Sequence, residues 1–381
     1  TRVGGAWNQA LIHPFMGEVG TFAFRQRAGN RTDLFTWVLE DEGPWSHLVV
    51  PLEVGRLEVA TARRVVRPGA YFLLGGGVSR EWVRPGAPEE VEGVRDGRFD
   101  DRAPAPAETA DRLSPQLRDR ESTRVSLLAG ARRIRFAERE GLDALRGVQD
   151  VAHGSELLVS LGPAVSSGAA VRESPRSGLD VFGRTDLFAG FVEGPLVGQL
   201  HLAGQARRGG EPGLRDVLLE GHAFLYHQHA APFPGTLLLR LAFQGGWDHT
   251  HPFQLTLGGP EGVRGLDERA FPGARRHLAT LESRPLLPSP RPDFFDLGTT
   301  LFLDVGSMRA GDTPWGMDSG VQASVGAGLR LGFPAGSSAV IRIDLAQPLG
   351  DRSSNGPRLM IQAREWVGIL GSFRSPQLAR S

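Results

Sequence analysis

"GVQASVGAGLRLGF", residues 320–333, decides how this chain is read. Val321, Ala323, Val325, Ala327, Leu329, Leu331 and Phe333 fall on one face of an extended backbone, and Gln322, Ser324, Gly326, Gly328, Arg330 and Gly332 fall on the other. Side chains alternate sides along a β-strand, so a period of two held this long predicts a strand. The run exceeds the typical strand of a globular protein, about five or six residues. Its length suits a tilted strand that crosses a bilayer.

The pattern recurs on either side. "AVIRIDLAQPL" sets Ala339, Ile341, Ile343 and Leu345 opposite Arg342 and Asp344. "GTLLLRLAFQG" sets Leu237, Leu239, Leu241 and Phe243 opposite Arg240 and Gln244. "TLFLDVG" sets Leu301, Leu303 and Val305 opposite Phe302, Asp304 and Gly306. A water-soluble sandwich also alternates, with its apolar face inward, but its strands are shorter and its turns closer. Strand-like segments cover most of the chain: 20–28, 33–40, 46–60, 69–79, 121–136, 155–165, 180–193, 195–208, 214–228, 234–244, 251–258, 274–285, 296–306, 319–333, 337–348 and 357–371. That number suits a single closed sheet, an all-β transmembrane antiparallel barrel. One barrel domain then spans residues 1–381, and the Pro-rich, charged stretch 84–121 is a long, mobile loop or linker.

Composition narrows the function classes. The 43 basic and 43 acidic side chains cancel, which gives no electrostatic case for nucleic acid. Every basic residue among the 43 is arginine. Cysteine is absent, which excludes disulfides, thiolate metal sites and a cysteine nucleophile. No apolar run is long enough for a transmembrane helix, which leaves a barrel open as a membrane option. Thr1 opens on no charged-then-apolar leader, so the chain reads as a mature domain or a fragment. No Gly-x-Ser-x-Gly elbow or His-Glu-x-x-His is present, and "LLGGGVSR" at 73–80 lacks the Lys of a phosphate loop. The expectation is therefore no enzyme and no cofactor. His222, His227, His229, His249 and His251 cluster in sequence. His227 and His229 share a strand face, but no carboxylate partner is evident, so they read as polar or interfacial side chains and no metal site is assigned.

A different stretch carries the site. "GGPEGVRGLDERAFPG", residues 258–273, holds five glycines and two prolines around Val263, Arg264 and Gly265. It reads as a loop, yet one furnished with unusual backbone freedom around a single arginine. Read alone, Arg264 is a solvated turn arginine more often than a held one. Asp304 lies on the polar face of its strand with Phe302 and Gly306.

"EGVRGLDERAFPG", "FLDVG" and "RIDLAQPL" resemble, in order and spacing, the BamA/TamA outer-membrane family, also called the bacterial surface antigen family. The resemblance is specific over about 258–348. It implies a sixteen-stranded barrel in the bacterial outer membrane with a long loop folded into its lumen. By that resemblance Arg264 is the loop-tip arginine and Gly265 the glycine after it. Phe302, Asp304 and Gly306 match the wall motif, with Asp304 the carboxylate that meets Arg264. Arg342, Asp344 and Pro348 resemble the late-strand pattern. Leu266 stands where the family has an aromatic residue. The periplasmic POTRA repeats of the family are not found in this chain. After "REWVGILGSF" eight further residues follow, where family members end on an aromatic residue.

The implied role is insertion or translocation of other polypeptides, through a weak seam between the first strand, near 20–28, and the last, near 357–371. The partners implied are the lipid bilayer, client polypeptides and periplasmic accessory proteins. Two alternatives stay open: a pore that secretes a partner protein, and a barrel that anchors an upstream enzyme domain.

Overall fold

Long alternating runs, broken by Gly- and Pro-rich turns, commit the chain to strands. The computed structural model describes residues 3–9, 22–39, 44–167, 180–209, 213–229, 234–350 and 356–363. In chain order the wall strands are β1 (Val3–Gln9), β2 (Phe22–Val38), β3 (Trp45–Arg67) and β4 (Ala70–Pro85). After an excursion that holds β5 (Glu92–Arg95), β6 (Arg102–Pro104) and a short helix α1 (Ala107–Leu113), they continue as β7 (Arg120–Glu140), β8 (Val148–Ser167), β9 (Val181–Glu193), β10 (Leu196–Arg208), β11 (Arg215–His229) and β12 (Gly235–Trp247). A second excursion carries the two-residue strands β13 (Leu255–Thr256) and β14 (Pro272–Gly273). The wall closes its run with β15 (Arg275–Leu287), β16 (Asp296–Arg309), β17 (Gly320–Gly332), β18 (Val340–Pro348) and β19 (Arg358–Gln362).

Among the described residues, fifteen of the 17 strands in the main sheet form an antiparallel meander from β1 to β19; β5 and β6 extend from β3 as a flap. β1 pairs with β2 and β19 with β18, and among the described residues no register links β1 with β19. The expected first strand, near 20–28, is instead part of β2, and β1 lies outside it. The segments 20–28 and 33–40 are one continuous strand. Residues 251–258, expected as a wall strand, belong to the second excursion. The expected last strand is described only over Arg358–Gln362, and residues 364–381, with the terminal aromatic and its eight followers, lie outside the described residues.

The sheet is apolar outside and charged inside. Leu237, Leu239 and Leu241 on β12, Leu301 and Leu303 on β16, and Ile341, Ile343 and Leu345 on β18 are exposed, while Arg276, Arg284, Arg330 and Arg342 are among the most buried side chains. A soluble sandwich has the opposite arrangement. An apolar outer band around a polar interior fits lipid as the outer solvent.

The sheet also curls around its second excursion. From one end of the meander, the Val38 amide donates to Gln254 Oε1 at 2.7 Å and His47 Nε2 lies 2.6 Å from Arg269. From the other end, Arg358 pairs with Asp267 at 2.6 Å. Strands from both ends can reach one loop only if the wall wraps it.

The stretch 84–121 is structured, unlike the mobile linker expected. Val91 and Leu113 bury themselves against Trp37, Leu48 and Val50 of β2 and β3, and against Trp315 from the β16–β17 loop. Burial of such apolar side chains offsets the entropy of ordering a long loop.

Candidate functional site

The excursion between β12 and β15 is a folded insert. β13 pairs with β14, the Leu257 amide donates to the Ala270 carbonyl at 2.9 Å, and Val263 donates back to Leu257 at 2.9 Å. Leu255, Leu257, Val263, Leu266 and Phe271 form one apolar cluster with Leu278 and Met308 of the wall. Leu266 thus fills the insert's own core, where it is 5% exposed. Gly265 adopts φ +87°, a left-handed conformation that L side chains rarely take, beside the Ala346 carbonyl. The tip can turn there because no Cβ is present.

This turn delivers Arg264 to the wall. Its Nε donates to Asp304 Oδ2 at 2.6 Å and its Nη2 to Asp304 Oδ1 at 2.9 Å, a bidentate fork. Its backbone amide also reaches Asp304 Oδ2, at 3.3 Å. Nη1 donates to Glu282 Oε2 at 3.0 Å and reaches Asp344 Oδ2 at 3.5 Å. The guanidinium lies over the Phe302 ring, 3.5 Å from its centroid, a cation–π contact. Arg264 and Asp304 are each 1% exposed. Such a pair fixes position more surely than it adds stability, because desolvation consumes much of the Coulomb gain.

The register explains why these groups meet. Glu282, Phe302, Gly326 and Ala346 stand side by side across β15 to β18. A Cβ on Gly326 would sit 2.2 Å from Phe302 Cζ and 2.5 Å from the Leu345 carbonyl oxygen. The missing side chain therefore lets the phenyl ring lie flat beneath Arg264. Gly326→Ala is expected to displace that ring and destabilise the barrel by about 1–2 kcal/mol, through strain and a lost cation–π contact. Denaturant unfolding of the purified barrel measures this.

The carboxylates extend the network. Arg342 Nη2 donates to Glu282 Oε2 at 3.2 Å and to Asp344 Oδ2 at 3.0 Å. Arg284 Nε donates to Glu282 Oε1 at 2.7 Å. On its other side Arg284 holds a second insertion, the β7–β8 turn at 141–147. Arg284 Nη1 donates to Asp143 Oδ1 at 2.9 Å and to the Leu142 carbonyl at 2.8 Å. Tyr226 Oη donates to Asp143 Oδ1 at 2.8 Å, and Arg330 donates to the Asp143 carbonyl. Leu142, Asp143 and Ala144 are fully buried. By strand direction this turn enters from the end opposite the Arg264 insert. The lumen beside β11 to β18 is thus filled from both ends, and Glu282 links the two insertions.

All the expected site residues come together on this wall: Val263, Arg264 and Gly265 on the insert, Phe302, Asp304 and Gly306 on β16, Arg342 and Asp344 on β18. Gly306 leaves room for Val263, whose Cγ2 would lie 2.8 Å from a Cβ at that glycine. Sequence reasoning missed Glu282, Arg284 and Asp143. Glu282 and Arg284 alternate with outward residues on β15, so their polar face was detectable. Nothing in "GLDALRG" signals that Asp143 turns inward.

The other half of the lumen, beside β2 to β9, is open. A cavity of about 1050 Å³ is lined there by residues of both charges, among them Arg27, Glu58, Glu81 and Arg124.

No family model matches the chain, and no curated protein matches it. Solved structures do. CdiB from Acinetobacter baumannii matches with a TM-score of 0.37 and 11% identity, over 92% of this chain and 55% of that one. CdiB from Escherichia coli matches at 0.38 and 14%, over 94% and 66%. BamA from Haemophilus ducreyi lacking POTRA domains 1-3 matches at 0.36 and 10%, over 95% and 74%. The chain thus spans between about half and two thirds of the two CdiB chains. No family membership follows from scores this low.

Proposed function

We propose that this chain is a single outer-membrane barrel domain, residues 1–381, that assists insertion or translocation of other polypeptides and carries no chemistry of its own. The observation that supports this reading is the inward insert whose tip arginine forks onto a wall carboxylate in a lipid-facing sheet. The motif resemblance to the BamA/TamA family rests on those same residues. Short turns, such as 68–69 and 194–195, lie at one end of the wall and the long excursions at the other. That asymmetry supports a periplasmic face at the turns. Its partners are then the bilayer and client polypeptides, with periplasmic accessory proteins at the turn face.

The edge strands β1 and β19 are the place for a client strand to add by β-augmentation. The chain has no cysteine, so engineered pairs are the only thiols present. Cysteine pairs scanned across β1 and β19 are expected to block client insertion when oxidised and to restore it on reduction. Undiminished insertion by a fully cross-linked barrel would exclude the seam.

The open cavity favours a second reading, passage of a secreted partner through the lumen. Bulky substitutions in the cavity, such as Ser79→Trp, separate the two: they block passage and leave edge-templated insertion intact.

A further inference from the structure

At the rim of the open cavity three metal-ligating side chains converge, Asp216 from the start of β11 and His249 and His251 from the loop that leads into the Arg264 insert. One nitrogen from each of His249 and His251 and one carboxylate oxygen of Asp216 all lie within 4.8 Å of one another. Both imidazole nitrogens of His249 are buried, and neither makes a hydrogen bond. Buried polar atoms are nearly always satisfied, so an orphaned imidazole calls for a partner. The ring is held rather than loose: it stacks on Phe253 at 4.1 Å, and a Cβ on Gly246 would lie 2.3 Å from its Nε2.

Neighbouring groups hold these side chains in place. Asp216 Oδ1 accepts from the Thr250 amide at 2.9 Å and the Thr250 hydroxyl at 2.8 Å, and lies 3.4 Å from His251 Nδ1. Asp216 Oδ2 is held by Arg120 at 2.7 Å and Arg207 at 3.4 Å. Ligating carboxylates are themselves hydrogen-bonded in this way. The two guanidiniums weaken cation affinity but sit on the far oxygen.

We propose that Asp216, His249 and His251 form a binding site for a divalent cation of the zinc class. Two imidazoles and one carboxylate favour Zn²⁺ over the hard cations Mg²⁺ and Ca²⁺, which take oxygen ligands. Bonds of about 2.0 Å at tetrahedral angles set ligand atoms roughly 3.3 Å apart. Side-chain rotation therefore has to close the widest spacing, up to 4.8 Å, by about 1.5 Å. Asp216 and His251 line the cavity, so the ion has an aqueous entry and water fills the fourth position. The site stands independently of the insertion reading: its loss leaves that reading intact, and the reverse also holds.

The test uses the purified barrel without a histidine tag. Calorimetric titration with Zn²⁺ is expected to give one saturable site, unaffected by His227→Ala and His229→Ala. His249→Ala or His251→Ala is expected to weaken binding more than about 100-fold, beyond the usual cost of losing a group that only hydrogen-bonds to a ligand. Heat-dependent electrophoretic mobility checks that each variant folds. If either alanine variant fails that check, Co²⁺ absorption by the wild-type barrel decides: four-coordinate visible bands support the site. No saturable Zn²⁺ binding by wild type, equal binding by folded variants, or a purely octahedral Co²⁺ spectrum would overturn it.

Discussion

Arg264→Ala is expected to release the 248–274 insert and to destabilise the barrel by about 3–5 kcal/mol, the cost of leaving a buried charge without its partner. Three carboxylates, Asp304, Glu282 and Asp344, meet this one guanidinium, so its removal leaves a concentrated negative charge in a closed site. Asp304→Ala removes the bidentate acceptor and is expected to act in the same direction. The double variant should be less destabilised than the sum of the two, because each single change strands the other's charge. Arg264→Lys keeps the charge but not the fork, and should recover only part of the loss. Unfolding midpoints and protease cleavage within the insert measure all four. Unchanged protease resistance in both alanine variants would remove the latch from the mechanism.

The second large effect is expected at Asp143. It receives Arg284 and Tyr226 on its carboxylate, and its backbone carbonyl receives Arg330. Asp143→Ala leaves Arg284 buried without this counter-charge, and a loss of about 3–5 kcal/mol follows by the same reasoning. A functional readout separates it from Arg264. Each insertion fills the lumen from one end, so each single variant should raise conductance in planar bilayers modestly. Opening both ends in the Arg264→Ala, Asp143→Ala pair should raise it by more than the two together. Equal conductance in single and double variants would mean that the 141–147 turn does not obstruct the lumen.

The limits of the sequence follow from what is local and what is not. Alternation on β12, β16, β17 and β18 placed Arg240, Asp304, Arg330 and Asp344 on the lumenal face, since which face a residue takes is a property of the strand itself. The Arg264–Asp304 contact was readable through the resemblance of the "EGVRGLDERAFPG" and "FLDVG" motifs to the BamA/TamA family; glycines and a polar face alone leave Arg264 a solvated turn arginine. Glu282 was hidden because β15 offers several polar residues on one face and only three-dimensional register selects among them. Asp143 was hidden more deeply, in a short turn with no feature that distinguishes inward from outward. β1 was missed because "VGGAWNQ" is short and glycine-rich, with weak alternation. The excursion at 84–121 looked like a linker because its few apolar residues are spaced by charge. Their packing partners, Trp37 and Trp315, lie far away in sequence.

The buried network has a consequence for the response to salt. Arg264, Arg284, Arg330 and Arg342 face Asp143, Glu282, Asp304 and Asp344, four charges of each sign, all nearly inaccessible to water. Mobile ions cannot enter such a closed cluster, so its interactions are screened far less than those of exposed pairs. Several charges lining the open cavity, such as Arg56 and Arg184, are partly exposed to water and are screened more strongly. A rise in ionic strength should therefore reset the electrostatic field of one half of the lumen and leave the seating of the insert in the other half unchanged.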